Sequence, residues 1–161
     1  MSVCIVHRDG WAVCDSKETA GTMIFPSAIK KVVKSEGYLI AGVGHTSFIQ
    51  SAAKLVKSKG HEIDLLDTLI DNMEEEEYEA TALVCTYKRE LIHIDCSGAS
   101  TELTTDFWAI GCAEWYVLGR LHLIEETRPI TVEDAKTAIV AASKYDNGID
   151  GRVQEFYLDR V

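Results

Sequence analysis

The feature of the sequence that most constrains the fold is a pair of short apolar segments joined by a turn. Val3 to His7 is rich in β-branched residues, Arg8-Asp9-Gly10 has the residues that tight turns prefer, and Trp11 to Cys14 is apolar again. This pattern predicts a β-hairpin that begins at Val3. The fold must therefore be one in which the first strand already belongs to a sheet.

The middle of the chain changes from strand patterns to helical patterns and back. Tyr38 to Val43 is apolar on both faces, which predicts a buried strand. Helical spacing follows over Phe48 to Val56 and again over Ile63 to Met73. A second hairpin is predicted from the strand-like runs Ala80 to Tyr87 and Leu91 to Cys96.

The last third of the chain repeats that order of strands and helices. Phe107 to Ile110 predicts a short strand, and a helix should cover about Glu114 to Ile124. Thr131 and Asp134 have the spacing of a capping box, which predicts the start of a fourth helix. Its buried face should consist of small and aliphatic residues: Ala135, Ala138, Ile139 and Ala142. Val153 to Leu158 predicts a closing strand.

The order of elements is strands, two helices, strands, two helices and a strand. A sheet built from hairpins has one face that helices can cover and another that a second sheet can cover. We therefore predict an α+β fold, a four-layer αββα sandwich with two antiparallel sheets between helical layers. One domain over residues 1–161 is expected for this length.

Net charge and hydropathy argue against two classes of binding partner, nucleic acids and membranes. The chain has 16 Lys and Arg against 26 Asp and Glu, a formal charge of 16 − 26 = −10. A nucleic-acid partner is disfavoured because phosphate binding needs the opposite sign. The start of the sequence lacks the pattern of a signal peptide, and no apolar run is long enough to span a bilayer, so we expect a cytoplasmic protein without a membrane partner.

The five cysteines are scattered and form no Cys-x-x-Cys pair, which argues against a disulfide framework or a structural zinc site. Cys4, Cys14 and Cys85 lie in apolar runs, where a free cysteine usually acts as a small hydrophobic residue. We expect no metal and no cofactor.

Five segments, spread over nearly the whole chain, form a pattern: Asp15 to Gly21, Ile29 to Val32, Tyr38 to Gly44, Phe107 to Gly119 and Tyr145 to Gly148. They resemble, in the same order, five landmarks of proteasome beta subunits. The first two landmarks are the Asp-Ser-x-x-Thr-x-Gly run after the first hairpin and the strand with the catalytic lysine. The other three are the strand-to-helix segment that supplies the oxyanion donor, the Gly-Ser-Gly turn, and the active-site aspartate that comes last in the sequence.

The resemblance implies an N-terminal nucleophile hydrolase, related to proteasome beta subunits and to their bacterial ring-forming homologues, which include short phage-encoded members. It implies a peptidase that acts on peptides or unfolded proteins, assembles into a homo-oligomeric ring and depends on an ATP-driven unfoldase for folded substrates. It also implies that Met1 is removed, so that Ser2 supplies both nucleophile and base. The site residues that it implies are Ser2, Asp15, Lys31, Gly44, Cys112 and Asp146.

The chemistry of these residue types is consistent with that role. A hydroxyl is a poor nucleophile at neutral pH, but a free α-amino group on the same residue can act as its base. Ser2 is the only position where removal of one methionine creates this pair. A nearby lysine would lower the pKa of the amine, and a carboxylate would keep that lysine charged; Lys31 and Asp15 are the candidates. Taken singly, they could also be a snorkelling lysine and an ordinary turn residue.

Gly44 precedes the first helix, where its N–H could bind an oxyanion or simply allow a tight turn. Three positions depart from the family. Ser2 stands where threonine is usual, and Cys112 replaces the serine of the Gly-Ser-Gly turn. Ile149, three residues after Asp146, replaces another serine and can form no side-chain hydrogen bond, so the polar support around the amine is incomplete.

Three other functions remain open from the sequence. The departures at Cys112 and Ile149 suit an inactive homologue or assembly subunit that uses the fold for oligomer contacts alone. A thiol-dependent enzyme built on Cys112 is a second alternative. A metal site from His93, Asp95 and Cys96 is a third, although no further ligand can be named.

Overall fold

Two antiparallel sheets carry the described part of the chain. The computed structural model describes residues 2–20, 23–25, 31–35, 37–59, 67–71, 80–149 and 152–158. The strands are β1 (Val3–His7), β2 (Trp11–Asp15), β3 (Glu18–Ala20), β4 (Met23–Phe25), β5 (Val32–Ser35), β6 (Tyr38–Gly44), β7 (Ala80–Thr86), β8 (Leu91–Ile94), β9 (Ser100–Leu103), β10 (Phe107–Gly111) and β11 (Val153–Tyr157). The helices are α1 (Thr46–Lys59), α2 (described over 67–71), α3 (Glu114–Glu125) and α4 (Val132–Ala142).

The strand order places the first strand, β1, in the interior of its sheet. The first sheet has the order β10-β1-β2-β11 and the second has the order β5-β6-β7-β8-β9, while β3 pairs with β4 alone. In the first sheet β1 lies between β10 and its hairpin partner β2, and β11 covers the other edge of β2. The start of β1 therefore lies beside the end of β10 and the end of β2.

The core is divided into three apolar layers because side chains alternate between the two faces of each strand. In β1, Val3 and Ile5 pack toward α3 and α4, whereas Cys4 and Val6 pack between the sheets. The outer face of the second sheet packs on α1 and on Leu69 of α2. The result is the predicted four-layer αββα sandwich, with helices on both outer faces and two sheets in the middle.

Most of the predicted elements are confirmed. The first hairpin has the predicted strands, with β2 extended to Asp15. The capping box of Thr131 and Asp134 is formed, and α4 buries the four residues that were predicted. Cys4, Cys14 and Cys85 are buried, as small apolar residues would be.

Some elements were missed, and some predictions lie outside the described residues. The short strands β3 and β9 were not predicted; β9 is an edge strand of polar sequence, Ser-Thr-Glu-Leu, and most of it is exposed. Residues 67–71 of the second predicted helix are helical, while the rest of its predicted span, 63–66 and 72–73, lies outside the described residues. Among the helices that the structure describes, none has the length and apolar character needed to cross a membrane.

Candidate active site

The Asp15 carboxylate is the centre of a buried polar cluster. Its Oδ1 accepts hydrogen bonds from the Val3 N–H at 2.8 Å and from Lys31 Nζ at 2.7 Å. Its Oδ2 accepts one from the Lys17 N–H at 3.1 Å. The Asp15 side chain is 0% exposed and that of Lys31 is 7% exposed, so this ion pair is shielded from water. Lys31 is therefore not the snorkelling surface residue of the alternative interpretation.

The strand registers explain why these residues meet. Cys4 pairs with Cys14 in the first hairpin, so the next positions along, Val3 and Asp15, lie opposite each other. Lys31 comes directly before β5 of the second sheet, and its carbonyl accepts a hydrogen bond from the Gly42 N–H at 3.0 Å. The lysine side chain therefore joins the two sheets at the point where β1 begins.

Ser2, directly before β1, is held by the turn after β10. Its carbonyl accepts a hydrogen bond from the Cys112 N–H at 2.9 Å, and the Cys112 Sγ lies 3.5 Å from the same oxygen. Gly111 pairs with Val3 and has a φ of +114°. A Cβ on Gly111 would collide with the Ser2 carbonyl, so both its φ and its close contact require glycine.

Cys112 also contacts the last predicted site residue, Asp146. Burial raises the pKa of Cys112 to about 11, and the hydrogen bond to the Asp146 carboxylate adds to the effect. The thiol is therefore neutral near pH 7 and serves as a donor. This environment does not favour a thiolate nucleophile, which needs a lowered pKa.

The turn that carries Asp146 is fixed by its own hydrogen bonds. Asp146 Oδ1 accepts from the Gly148 N–H at 2.7 Å, and the Asp146 carbonyl accepts from the Ile149 N–H at 3.2 Å. The Ile149 side chain is 4% exposed and belongs to the apolar layer beneath α3 and α4. The position where the family has serine is thus part of the core in this chain.

Gly44 is placed near the site by its strand. It ends β6 with a φ of +105°, and α1 begins at Thr46. Gly42, two residues earlier, is bonded to the Lys31 backbone, so Gly44 lies about 7 Å further along β6 at a rise of about 3.4 Å per residue. Contacts thus join Ser2 to Cys112, Cys112 to Asp146, and Asp15 to Lys31. Gly44 is placed by its strand position alone.

Sequence reasoning missed one residue, Lys17. In the Asp-Ser-x-x-Thr-x-Gly pattern it stands at a variable position. In the structure its N–H binds Asp15 and its Nζ donates a hydrogen bond to the Asn147 carbonyl. No signal in the sequence could have indicated the second contact, because Asn147 is 130 residues away.

Asp95, a residue of the alternative metal site, is bound within a tight turn. Asp95 Oδ1 accepts hydrogen bonds from the Ser97 hydroxyl at 2.6 Å, the Ser97 N–H at 2.8 Å and the Ala99 N–H at 3.1 Å. These bonds lower the pKa of Asp95 and close a tight turn. Within the described ranges, no group of three or more His, Cys, Asp or Glu side chains could hold a metal ion.

Comparisons with known proteins identify the fold. No protein-family model and no curated protein matches the sequence. Among solved structures, the chain is similar to eukaryotic HslV from Trypanosoma brucei, with a TM-score of 0.76 and 19% identity over 97% of this chain and 98% of that chain. It is also similar to Thiobacillus denitrificans BPH, with a TM-score of 0.75, 19% identity and 99% of each chain covered.

The same BPH in complex with epoxomicin matches with a TM-score of 0.75 and 18% identity, over 99% of this chain and 100% of that chain. These likenesses span almost the whole chain. The fold is therefore the one that HslV and BPH have, and it is the four-layer αββα sandwich that the sequence predicted.

Proposed function

We propose that the protein is a proteasome-type peptidase in which Ser2, exposed by removal of Met1, is the nucleophile. The observation that carries this proposal is the buried Asp15 carboxylate, which binds both the Val3 N–H and the Lys31 ammonium directly beside Ser2. A purely structural role would not explain this buried ion pair. Burying both charges costs several kcal/mol, which is roughly what their mutual attraction returns, so the pair adds little to stability. A buried lysine that binds the same carboxylate as the residue after Ser2 would have a clear chemical use.

That use is control of the base. The Ser2 amine takes the proton of the Ser2 hydroxyl as Oγ attacks the carbonyl carbon of a peptide bond. Lys31 holds down the pKa of the amine by like-charge repulsion, which keeps it free to accept the proton. The ammonium then returns the proton to the leaving amine, so the peptide C–N bond breaks and an ester remains on Ser2.

The ester is hydrolysed by the same groups. The Ser2 amine activates a water molecule, whose oxygen attacks the ester carbonyl and releases the Ser2 hydroxyl. Gly44, at the junction of β6 and α1, is the proposed oxyanion donor in both steps. Cys112 and Asp146 are proposed to orient Ser2 through the bonds between the Cys112 turn and the Ser2 carbonyl.

We further propose that the chain is a one-domain subunit, over residues 1–161, of a homo-oligomeric ring in the cytoplasm of a bacterium or of a phage-infected cell. The fold supports this proposal, since it matches that of HslV and BPH. The substrates would be peptides and unfolded proteins, with an ATP-driven unfoldase as partner for folded ones.

The test is a peptidase assay on protein with a processed N-terminus. Ser2→Ala should lose about a thousandfold or more in kcat, because the alanine keeps the amine but has no hydroxyl. Ser2→Thr is the matched control, since it restores the hydroxyl and should retain activity. Equal activity in wild type and in Ser2→Ala would disprove the proposal.

An inactive assembly subunit is the second candidate, and one observation favours it. Ile149 lies in the apolar core, so it supplies no hydrogen bond to the amine. This candidate predicts that Ser2→Ala leaves the oligomeric state and every activity unchanged. A loss of peptidase activity in Ser2→Ala, with the oligomer intact by light scattering, would reject it.

A further inference from the structure

We propose that Lys17 is a positioning residue that couples the two halves of the site. The inference rests on the proposed function, in which both halves serve Ser2. One half is the buried pair of Asp15 and Lys31. The other half is the turn of residues 145–149, whose Asp146 contacts Cys112.

Lys17 contacts both halves through different parts of the same residue. Its N–H binds Asp15 Oδ2 at 3.1 Å, which fixes its backbone to the carboxylate that also holds Val3 and Lys31. Its Nζ reaches the Asn147 carbonyl, in the residue after Asp146. The lysine thus spans the distance between the end of β2 and the turn that follows α4.

The need for this bridge follows from Ile149. A serine at that position could hydrogen-bond within the site, but an isoleucine buried in the core cannot. The turn still has bonds from the Gly148 and Ile149 N–H groups to Asp146, and these bonds act only within the turn. The Lys17 ammonium supplies a contact from the turn to the other half of the site.

A charge-assisted bond suits this role because an ammonium donor binds a carbonyl more strongly than a neutral donor does. Its effect on catalysis would be geometric. Small misplacements of groups that hold the nucleophile can lower the rate strongly, whereas binding of an extended substrate elsewhere is unaffected. The expected signature is therefore a change in kcat rather than in KM.

The test compares three variants of the full chain with processed N-terminus. Lys17→Met keeps the stem and removes the ammonium, and should lower kcat about tenfold with KM within about twofold. Lys17→Arg keeps a cationic donor and should restore kcat to within about threefold of wild type. Lys34→Met is the matched control, because Lys34 Nζ also lies near a main-chain carbonyl, that of Tyr157 at 3.5 Å, outside the site.

A second readout does not depend on activity. Amide hydrogen exchange at Gly148 reports the bond to Asp146, and it should be several-fold faster in Lys17→Met than in wild type or Lys34→Met. Unchanged exchange, or a kcat loss that Lys17→Arg does not restore, would overturn the inference. An inactive wild type would disprove the proposed function, while exchange at Gly148 would still decide whether Lys17 holds the turn.

Discussion

Replacement of Lys31 by methionine removes the cation from a buried ion pair and leaves the Asp15 carboxylate behind. Loss of one partner of such a pair costs about 3 to 5 kcal/mol. The carboxylate keeps its hydrogen bonds from the Val3 and Lys17 N–H groups, so we expect the lower end, about 3 kcal/mol. At about 2 to 4 °C per kcal/mol for a chain of 161 residues, the melting temperature should fall by about 6 to 12 °C.

The assay is a double-mutant cycle followed by thermal unfolding. Asp15→Asn leaves the ammonium without its carboxylate and should destabilise by a similar amount. The double variant removes both charges, so its loss should be smaller than the sum of the single losses by about 2 kcal/mol. Lys136→Met is the control for an ordinary surface pair, since Lys136 Nζ lies 3.4 Å from an exposed Glu133, and it should cost under about 1 kcal/mol.

Two results would refute this reasoning. One is a melting temperature for Lys31→Met that matches Lys136→Met, which would mean that the pair is not shielded from water. The other is strict additivity of the two single variants in the double variant, which would mean that Asp15 and Lys31 do not interact.

Three further predictions test the surroundings of the site and the helix behind it. Gly111→Ala should destabilise by about 2 kcal/mol or more, because Gly111 has a positive φ and an added Cβ would collide with the Ser2 carbonyl. Gly119→Ala, with open space in α3, should be neutral or stabilising, and equal effects of the two variants would contradict the contact at Gly111. The rate of alkylation of Cys112 should increase about tenfold per pH unit from about pH 8 to about pH 10, because the pKa of the thiol is about 11. A rate that reaches a plateau below about pH 9 would contradict that value. The bond to Arg128 holds the pKa of Asp134 well below its unfolded value. The difference in stability between wild type and Asp134→Asn should therefore persist at neutral pH and shrink as the pH falls below about 4. A difference that grows below that pH would contradict this prediction.

Local signals made most of the fold predictable. The first hairpin was predicted from a turn of Arg8-Asp9-Gly10 between β-branched segments, and Gly10 has the positive φ, +86°, that such turns need. The fourth helix was predicted from its capping box, which the structure forms through the Thr131 hydroxyl and the Asp134 N–H at 3.3 Å. In both cases the residues that specify the element are neighbours in sequence.

Features that depend on distant contacts were not predictable. The edge strand β9 has polar residues and little burial, so it has no apolar pattern to detect. The contact between Lys17 and Asn147 depends on how the end of β2 meets the turn after α4. Ile149 was recognised as a departure from the family, but its place in the core beneath α3 and α4 required the packing of the whole layer.

The central claim, that Ser2 is a processed N-terminal nucleophile, is tested most directly by mass spectrometry of the N-terminal peptide. The protein is measured before and after reaction with an electrophilic peptide inhibitor. The account predicts a chain that begins at Ser2 and gains the inhibitor on that residue, with no gain in Ser2→Ala. Full peptidase activity in protein that retains Met1, or an adduct on Cys112 instead, would contradict it.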